Sequence, residues 1–333
     1  MARIAINGLG RIGRAALKII MDTPELEAVA INDLLPPENL AYLFKFDTVY
    51  GRYPKNVSSS GDSLIIGDKK IRIFNSKDPA ELPWKDLKID AALECTGHFT
   101  TKEGLEKHLK AGAKYAALSA PSKNDGMKFV VPGVNHIEKG DTLFSVASCT
   151  TNCITPVVEI MKRRIGVEKA IMSTVHAYTS SQSLVDSPNK KWRRGRAAAS
   201  NLVPSTTGAA IATTKVITEI EGNFDGIAIR APVTVGSVAD ITFLTSRPTS
   251  IDEVNQIFKE ESMTERYLGI LGFSDEEIVS SDIIQDSRAS IVDTTMTKVV
   301  GGNLVKIMSW YDNEWGYASQ MVKELVYLSK FAV

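Results

Sequence analysis

A thiol placed where a strand gives way to a helix can serve as a nucleophile. In this chain Ser148-Cys149-Thr150-Thr151-Asn152-Cys153 follows the apolar run 143–146 and opens a helical stretch over residues 151–164. Cys149 would then sit at a helix N-terminus, where the positive end of the dipole favours the thiolate and a free backbone amide can hold an oxyanion. Cys153, one turn further on, points elsewhere and is read as structural. A thiol of this kind needs a base, and the chain offers only four histidines, His98, His108, His136 and His176. His176 ends a β-branched run, Ser173-Thr174-Val175, and faces a long polar segment, so it is the candidate base. His108 lies in a helical stretch and reads as a surface residue. Without this setting, Cys149 would read by default as buried packing and His176 as a satisfied structural ring.

A second set of residues suits an anion. Gly8-Leu9-Gly10-Arg11-Ile12-Gly13 comes directly after a strand and opens a helix. Gly8 permits a tight turn, Gly10 lets backbone approach a pyrophosphate, and Gly13 permits close packing of helix on sheet. The next strand ends in Asn32-Asp33, twenty residues past Gly13, where a carboxylate accepts from an adenosine ribose hydroxyl. A carboxylate there repels a 2′-phosphate and favours NAD over NADP. The plainer reading is that Asp33 caps its own loop. Thr96 and Gly97, after the next parallel strand, and Ser119, after the one beyond, complete the candidate cofactor set.

The elements that would position these groups fall into two textures. Up to residue 148, short β-branched runs (3–7, 28–31, 71–74, 91–95, 116–119, 129–131, 143–146) alternate with helical stretches (11–21, 37–45, 102–111). That rhythm predicts an α/β Rossmann domain, a doubly wound parallel sheet. Beyond it, longer alternating runs at 170–177, 227–230, 238–244, 295–300 and 304–311 predict an α+β domain with a mainly antiparallel sheet. Residues 178–201 are polar and basic, hold Pro188, and read as a long functional loop.

Bulk properties narrow the function class. The 333 residues exceed one ordinary core and predict two domains. Lys plus Arg and Asp plus Glu number 39 each, so no overall charge calls for nucleic acid or a membrane surface. Three cysteines without zinc-ligand spacing imply no metal and a reducing, cytoplasmic setting. No apolar run reaches membrane-spanning length, and the start of the chain lacks the pattern of a signal peptide.

Taken in order, residues 6–14 (Ile-Asn-Gly-Leu-Gly-Arg-Ile-Gly-Arg), 147–153, 174–179 (Thr-Val-His-Ala-Tyr-Thr), 204–210 (Pro-Ser-Thr-Thr-Gly-Ala-Ala) and 309–317 (Ser-Trp-Tyr-Asp-Asn-Glu-Trp-Gly-Tyr) resemble the glyceraldehyde-3-phosphate dehydrogenase family of the phosphorylating, bacterial and eukaryotic type. The resemblance implies that Cys149 attacks the aldehyde of glyceraldehyde 3-phosphate, that His176 takes the proton, and that hydride passes to NAD. Inorganic phosphate then cleaves a thioester to give 1,3-bisphosphoglycerate. It implies a site for the attacking phosphate at Ser148, Thr150, Thr207 and Gly208, and one for the substrate phosphate at Thr179, Arg193 and Arg230. Asn313 and Tyr317 belong with the nicotinamide. It further implies a Rossmann domain over 1–148, a catalytic domain over 149–316 that includes an S-loop at 178–201, a helix over about 317–331 returning to the first domain, and a homotetramer. The sequence departs from the family pattern at Ser181, where many bacterial members are acidic, at Ser187 beside Pro188, which leaves some NADP use open, and at Arg230-Ala231-Pro232-Val233. The rival readings are an erythrose-4-phosphate dehydrogenase, which the intact 205–210 run disfavours, and a non-enzymatic protein that binds RNA or a partner through the basic S-loop.

Overall fold

The computed structural model describes residues 1–122 and 126–332. Residue contacts group them into two units. One comprises Met1–Val130, His136–Ala147 and the chain from Met321 onward; the other comprises Val131–Asn135 and Ser148–Gln320. The segment Val131–Asn135, expected in the first domain, thus groups with the second.

The first unit runs β1 (Ala2–Asn7), α1 (Arg11–Ile20), β2 (Leu26–Asn32), α2 (Pro37–Lys45), a small hairpin of β3 (Phe46–Asp47) and β4 (Gly51–Arg52), then β5 (Val57–Ser60), β6 (Ser63–Ile66) and β7 (Lys69–Phe74). It continues through β8 (Ala91–Glu94), α3 (Lys102–Lys110), β9 (Tyr115–Leu118), β10 (Lys128–Phe129) and β11 (Leu143–Ser145). Nine strands make one sheet in the order β10-β11-β9-β8-β1-β2-β7-β6-β5. The seven from β10 to β7 are parallel. The last two, β6 and β5, turn back antiparallel and lie outside the expected elements. The order reverses at β1, with β2 on one side and β8 on the other, and ligands of such sheets bind beyond the strand C-termini at that point. Burial follows the motif: Ile4, Ala5, Ile6, Ala92 and Leu93 are wholly buried, as a two-sided sheet requires.

The second unit runs α4 (Cys149–Arg164), β12 (Val167–Ala177), β13 (Val203–Thr206), α5 (Ala209–Val216), β14 (Phe224–Ala231), β15 (Ser237–Thr245), α6 (Ile251–Ser262), β16 (Leu271–Ser274), β17 (Ser290–Val300), β18 (Leu304–Tyr311) and α7 (Trp315–Ala332). Its sheet order is β13-β14-β12-β15-β18-β17-β16. Four pairings are antiparallel, while β12–β14 and β16–β17 are parallel. The parallel register of β12 and β14 sets His176 directly beside Arg230. Helix α4 buries Cys153, Ile154, Val157, Val158 and Met161 in a core shared with Ile241, Phe243 and Val305. The expected long loop 178–201 contains two short 3-10 turns, Trp192–Gly195 and Ala198–Ser200. Helix α7 begins at Trp315, two residues before the expected start, and its residues up to Gln320 group with the second unit.

Candidate active site and cofactor pocket

Ala147 adopts φ +52°, a left-handed conformation that turns the chain from strand to helix immediately before Ser148. Ser148 is the N-cap of α4: its Oγ accepts from the Thr151 amide at 3.1 Å, which stops the chain from fraying there. Cys149 is therefore the first helical residue, and its Sγ lies 3.3 Å from Nε2 of His176. The ring of His176 is almost wholly buried, and Nδ1 lies 2.7 Å from the carbonyl of Ala177 and 2.7 Å from the guanidinium of Arg230. Behind the pair, the Tyr311 hydroxyl is held between Thr150 Oγ1 (3.0 Å) and Thr174 Oγ1 (2.7 Å). The Tyr311 ring and the imidazole meet nearly at right angles, with a centroid distance of 5.9 Å.

Electrostatics here depart from the simple helix-terminus expectation. Burial pushes the Cys149 thiol above its ordinary value, although the charge of Arg230, the hydroxyl of Thr150 and the helix-terminal amides pull it down. Although Cys149 is only half-buried by surface area, its sulfur is closely surrounded by protein. Loss of water is the larger effect, so the thiol is not held ionised by the dipole alone. Burial, and then the charge of Arg230, pushes His176 down to about 3. The imidazole is consequently neutral near pH 7, the state in which Nε2 can accept a proton. Cys153 is fully buried against Ser290 and the Ser309 carbonyl, and burial drives its thiol up to about 12, so it is an inert packing thiol.

The two arginines of the 3-10 turn are placed differently. Arg193 was expected at the substrate phosphate, but Arg194 is the residue whose charge reaches His176 and Arg230. Successive residues of a 3-10 turn point a third of a turn apart. Arg193 is accordingly exposed and lines a surface concavity with Arg196, Asn201 and Leu202. Arg194 is half-buried and donates through Nε to Ser205 Oγ at 2.9 Å. Among the described residues neither Arg194 nor Arg230 forms an ion pair, and Arg230 Nε is buried without a partner. Two guanidinium groups without carboxylates, one carrying an orphaned donor, make a site that calls for an anion. Thr179 Oγ1 lies 2.8 Å from Ser181 Oγ, which also receives a long 3.4 Å contact from Arg194. Thr207 caps α5 by accepting from the Ala209 amide, and Gly208, the N-cap itself, has open space where a Cβ would stand. Asn313 accepts through Oδ1 from the Gly236 amide (3.2 Å) and Ser237 Oγ (3.0 Å). Its Nδ2 is thus the group left to donate. Tyr317 is buried in the first turn of α7.

The first unit contains a cavity of about 440 Å³ beyond the C-termini of β1, β2 and β8, lined in part by Gly8, Gly10, Asp33 and Thr96. The glycines divide their work as steric demands. Gly8 has φ +91°, and a Cβ there would come within 2.8 Å of Thr96; a Cβ on Gly13 would fall 2.0 Å from the Gly8 carbonyl. At Gly10 a Cβ meets nothing within 4 Å, and this residue is the N-cap of α1 without a capping side chain, so the helix amides are left to an anion. Asp33 accepts from the amides of Leu9 (2.7 Å) and Leu35 (2.9 Å), so it does cap its loop, and each oxygen keeps a lone pair for a hydroxyl. The residues therefore suit a dinucleotide. Arg11 is turned aside, paired with Asp47 at 2.7 Å over the Tyr50 ring, which leaves its backbone as its contribution to the turn. Ile12 is half-buried on α1, and Gly97 is exposed with φ +72°. Ser119 lies behind the cavity, its amide donating to the Glu94 carbonyl and its side chain bonded to the Cys95 thiol. Sequence reasoning missed Asn7, Asn32 and Ser76 in the cavity wall, and it placed His108 on the surface, whereas His108 is wholly buried. Its helical stretch is amphipathic, and His108 falls on the inner face with Leu105.

Comparison with known proteins places both units. The profile described as "Glyceraldehyde 3-phosphate dehydrogenase, NAD binding domain" matches residues 2–102, and "Glyceraldehyde 3-phosphate dehydrogenase, C-terminal domain" matches residues 148–313. The chain is 43% identical to a glyceraldehyde-3-phosphate dehydrogenase of Clostridium pasteurianum, with 100% of both chains covered. It is 46% identical to that of Thermotoga maritima over 99% of this chain and 100% of the relative. To the Chlamydia pneumoniae protein of the same name it is 43% identical, over 98% of this chain and 99% of the relative.

Proposed function

Because the chain belongs to the glyceraldehyde-3-phosphate dehydrogenase family, a family of NAD-dependent oxidoreductases, we propose that it oxidises D-glyceraldehyde 3-phosphate with NAD and inorganic phosphate to 1,3-bisphosphoglycerate. The observation that carries this reading is the 3.3 Å approach of Cys149 Sγ to a neutral His176 beside two unpaired arginines. Cys149 gives its proton to His176 Nε2 and its sulfur adds to the aldehyde carbon; the resulting alkoxide, facing the helix-terminal amide, takes that proton back from His176 to form a thiohemiacetal hydroxyl and leave the imidazole neutral. NAD, when bound, supplies the acceptor for the hydride that leaves this carbon. His176 then takes the hydroxyl proton as the carbonyl re-forms, which leaves a thioester on Cys149. Attack by inorganic phosphate expels the thiolate and gives the acyl phosphate.

The charges divide this work. Burial and Arg230 make His176 a weak base; a phosphate dianion drawn to Arg230 and Arg194 offsets that positive field and raises its basicity when substrate arrives. Thr179, Arg194 and Arg230 are assigned to the substrate phosphate, with Arg194 in place of Arg193. The Gly208 amide, Thr207, Ser148 and Thr150 are assigned to the attacking phosphate. Asn313, able only to donate, is assigned to the nicotinamide carboxamide oxygen, and Tyr317 to the same end of the cofactor. Asp33 favours NAD over NADP, because its remaining lone pairs accept from a ribose hydroxyl and its charge repels a 2′-phosphate. A cytoplasmic homotetramer completes the proposal. Among the described residues no helix is long and apolar enough to cross a membrane.

The test is NADH formation from glyceraldehyde 3-phosphate with and without inorganic phosphate, beside Cys149→Ser. Turnover should require phosphate, prefer NAD, and fall at least about a thousandfold in the variant. Equal turnover without phosphate would point to hydrolysis and to erythrose 4-phosphate, and turnover surviving in C149S would remove the thiol mechanism.

A further inference from the structure

Beneath the dinucleotide cavity lies a polar network that the reaction does not use directly. We propose that Glu94 is a positioning residue for the cofactor pocket, its carboxylate fixing the orientation of the pocket's polar wall while His108 fixes the carboxylate. The inference rests on the reading of this cavity as the NAD site.

Glu94 ends β8 and His108 lies on α3; both side chains are wholly buried. Four donors converge on the two carboxylate oxygens. The Thr96 amide donates to Oε1 at 2.7 Å, and the Thr96 hydroxyl donates to the same oxygen. Asn7 Nδ2 donates to Oε2 at 2.6 Å, and His108 Nε2 lies 3.1 Å from the same oxygen. The role of the imidazole is fixed from behind. Trp84 Nε1 can only donate and lies 3.1 Å from His108 Nδ1, so Nδ1 accepts and the ring proton sits on Nε2, facing Glu94.

The polarity runs outward from the carboxylate. Because Asn7 gives its amide to Glu94, its Oδ1 must face Asn32, whose Nδ2 donates to it at 2.7 Å. Asn32 Oδ1 then accepts from the Ser76 amide at 2.9 Å, and its Nδ2 also donates to the Ser76 carbonyl at 2.9 Å. Asn7 and Asn32, the last residues of β1 and β2, and Ser76 and Thr96, in the loops after β7 and β8, all line the cavity. One buried carboxylate thus sets which way two amide side chains and one hydroxyl point at a bound ligand. It also holds the Thr96 backbone where Gly8 packs against it.

Replacing one carboxylate oxygen by NH₂ cannot satisfy this arrangement. Whichever way a glutamine at 94 is turned, its NH₂ meets donors: those of Thr96 on one side, or those of Asn7 and His108 on the other. The test is NAD affinity of the full chain by calorimetry, with thermal midpoint and the alkylation rate of Cys149 without NAD as controls. Glu94→Gln should weaken NAD at least about tenfold and leave the alkylation rate within about twofold of the parent. His108→Leu, which removes a donor that does not line the cavity, should weaken NAD severalfold, and His108→Gln, which keeps a donor toward Glu94, should restore it. A lowered midpoint with NAD affinity unchanged in E94Q and H108L would overturn the proposal and leave the network a purely structural one. Where E94Q does not fold, the histidine pair decides: H108Q binding as weakly as H108L would equally overturn it. A parent chain that does not bind NAD would sink the cofactor reading, a different failure.

Discussion

His176 Nδ1 has two neighbours competing for it, the Ala177 carbonyl and Arg230, and the winner decides how the ring meets the thiol. If Nδ1–H donates to the carbonyl at 2.7 Å, Nε2 presents a lone pair to Cys149, and Arg230 turns its proton to the same carbonyl at 3.1 Å. That tautomer is the one a general base needs. Holding the ring neutral has a consequence for stability. The unfolded histidine takes a proton near 6.5, whereas the folded ring resists until about 3, so between those values the unfolded state binds more protons. Stability is therefore complete above the unfolded value and is lost as pH falls toward 3. Against His176→Asn, which does not titrate, the parent should lose about 2 kcal/mol at about pH 5 relative to neutral pH in urea unfolding. A parent-to-variant difference that does not change with pH would show that the folded ring titrates as the unfolded one does, and would overturn its depression by burial. The arginines make a kinetic prediction at the same scale. Arg194→Gln should raise KM for glyceraldehyde 3-phosphate by at least about tenfold, as loss of a charge-assisted contact does, and Arg193→Gln by about twofold or less. Equal effects would mean that both side chains reach the substrate phosphate. The sequence could not separate these neighbours, because their difference comes from a 3-10 turn that carries no periodic signal.

The turn from β1 into α1 allows two single-methyl experiments with opposite outcomes. Gly13→Ala places a Cβ 2.0 Å from the Gly8 carbonyl and must push α1 away from β1, costing about 1–3 kcal/mol and NAD binding together. Gly10→Ala meets open space and a φ of −67° that alanine tolerates, so it should fold as the parent does and lose NAD affinity because the methyl stands where a pyrophosphate would approach. Thermal unfolding beside NAD titration separates them; a G10A variant that binds NAD normally would remove this turn from the site. The turn was readable in sequence because glycine spacing is a local steric demand. Helix α2 was readable to the residue, since Pro37 starts it and its apolar face repeats at helical spacing. Other elements left weaker traces. Strand β5 is Val-Ser-Ser-Ser, β13 contains Pro204 at a sheet edge, and α5 is mostly Ala and Thr, none with a clean period. The buried Glu94–His108 pair was hidden for another reason: a polar residue on the inner face of a helix breaks the apolar pattern, and only its partners on β1 and β8 explain it.

Helices α4, α5 and α6 pack against the sheet of the second unit, while outward-pointing positions of its strands carry Ile171 and Val175 on β12, Ile227 on β14 and Leu304 on β18, exposed by 64%, 37%, 50% and 43%. Strand alternation puts these residues on one face, because Ser173 stands beside Ile227 and between Ile171 and Val175. Within that face lies the Asp240–Lys306 pair at 2.8 Å. Apolar side chains mixed with paired charges across several strands form a surface suited to a second copy of the chain. The proposed tetramer makes this face the place to interrupt it. Sedimentation of the parent should give the mass of four chains, and Ile171→Glu with Ile227→Glu should give a smaller assembly with the Cys149 alkylation rate retained, since two carboxylates would be buried against apolar partners at each copy of the contact. An unchanged mass would assign assembly to another surface. A single-chain mass for the parent would mean that the exposed Trp192 of the basic loop and this apolar face are both left to water, a cost that the mixed apolar and paired-charge pattern argues against.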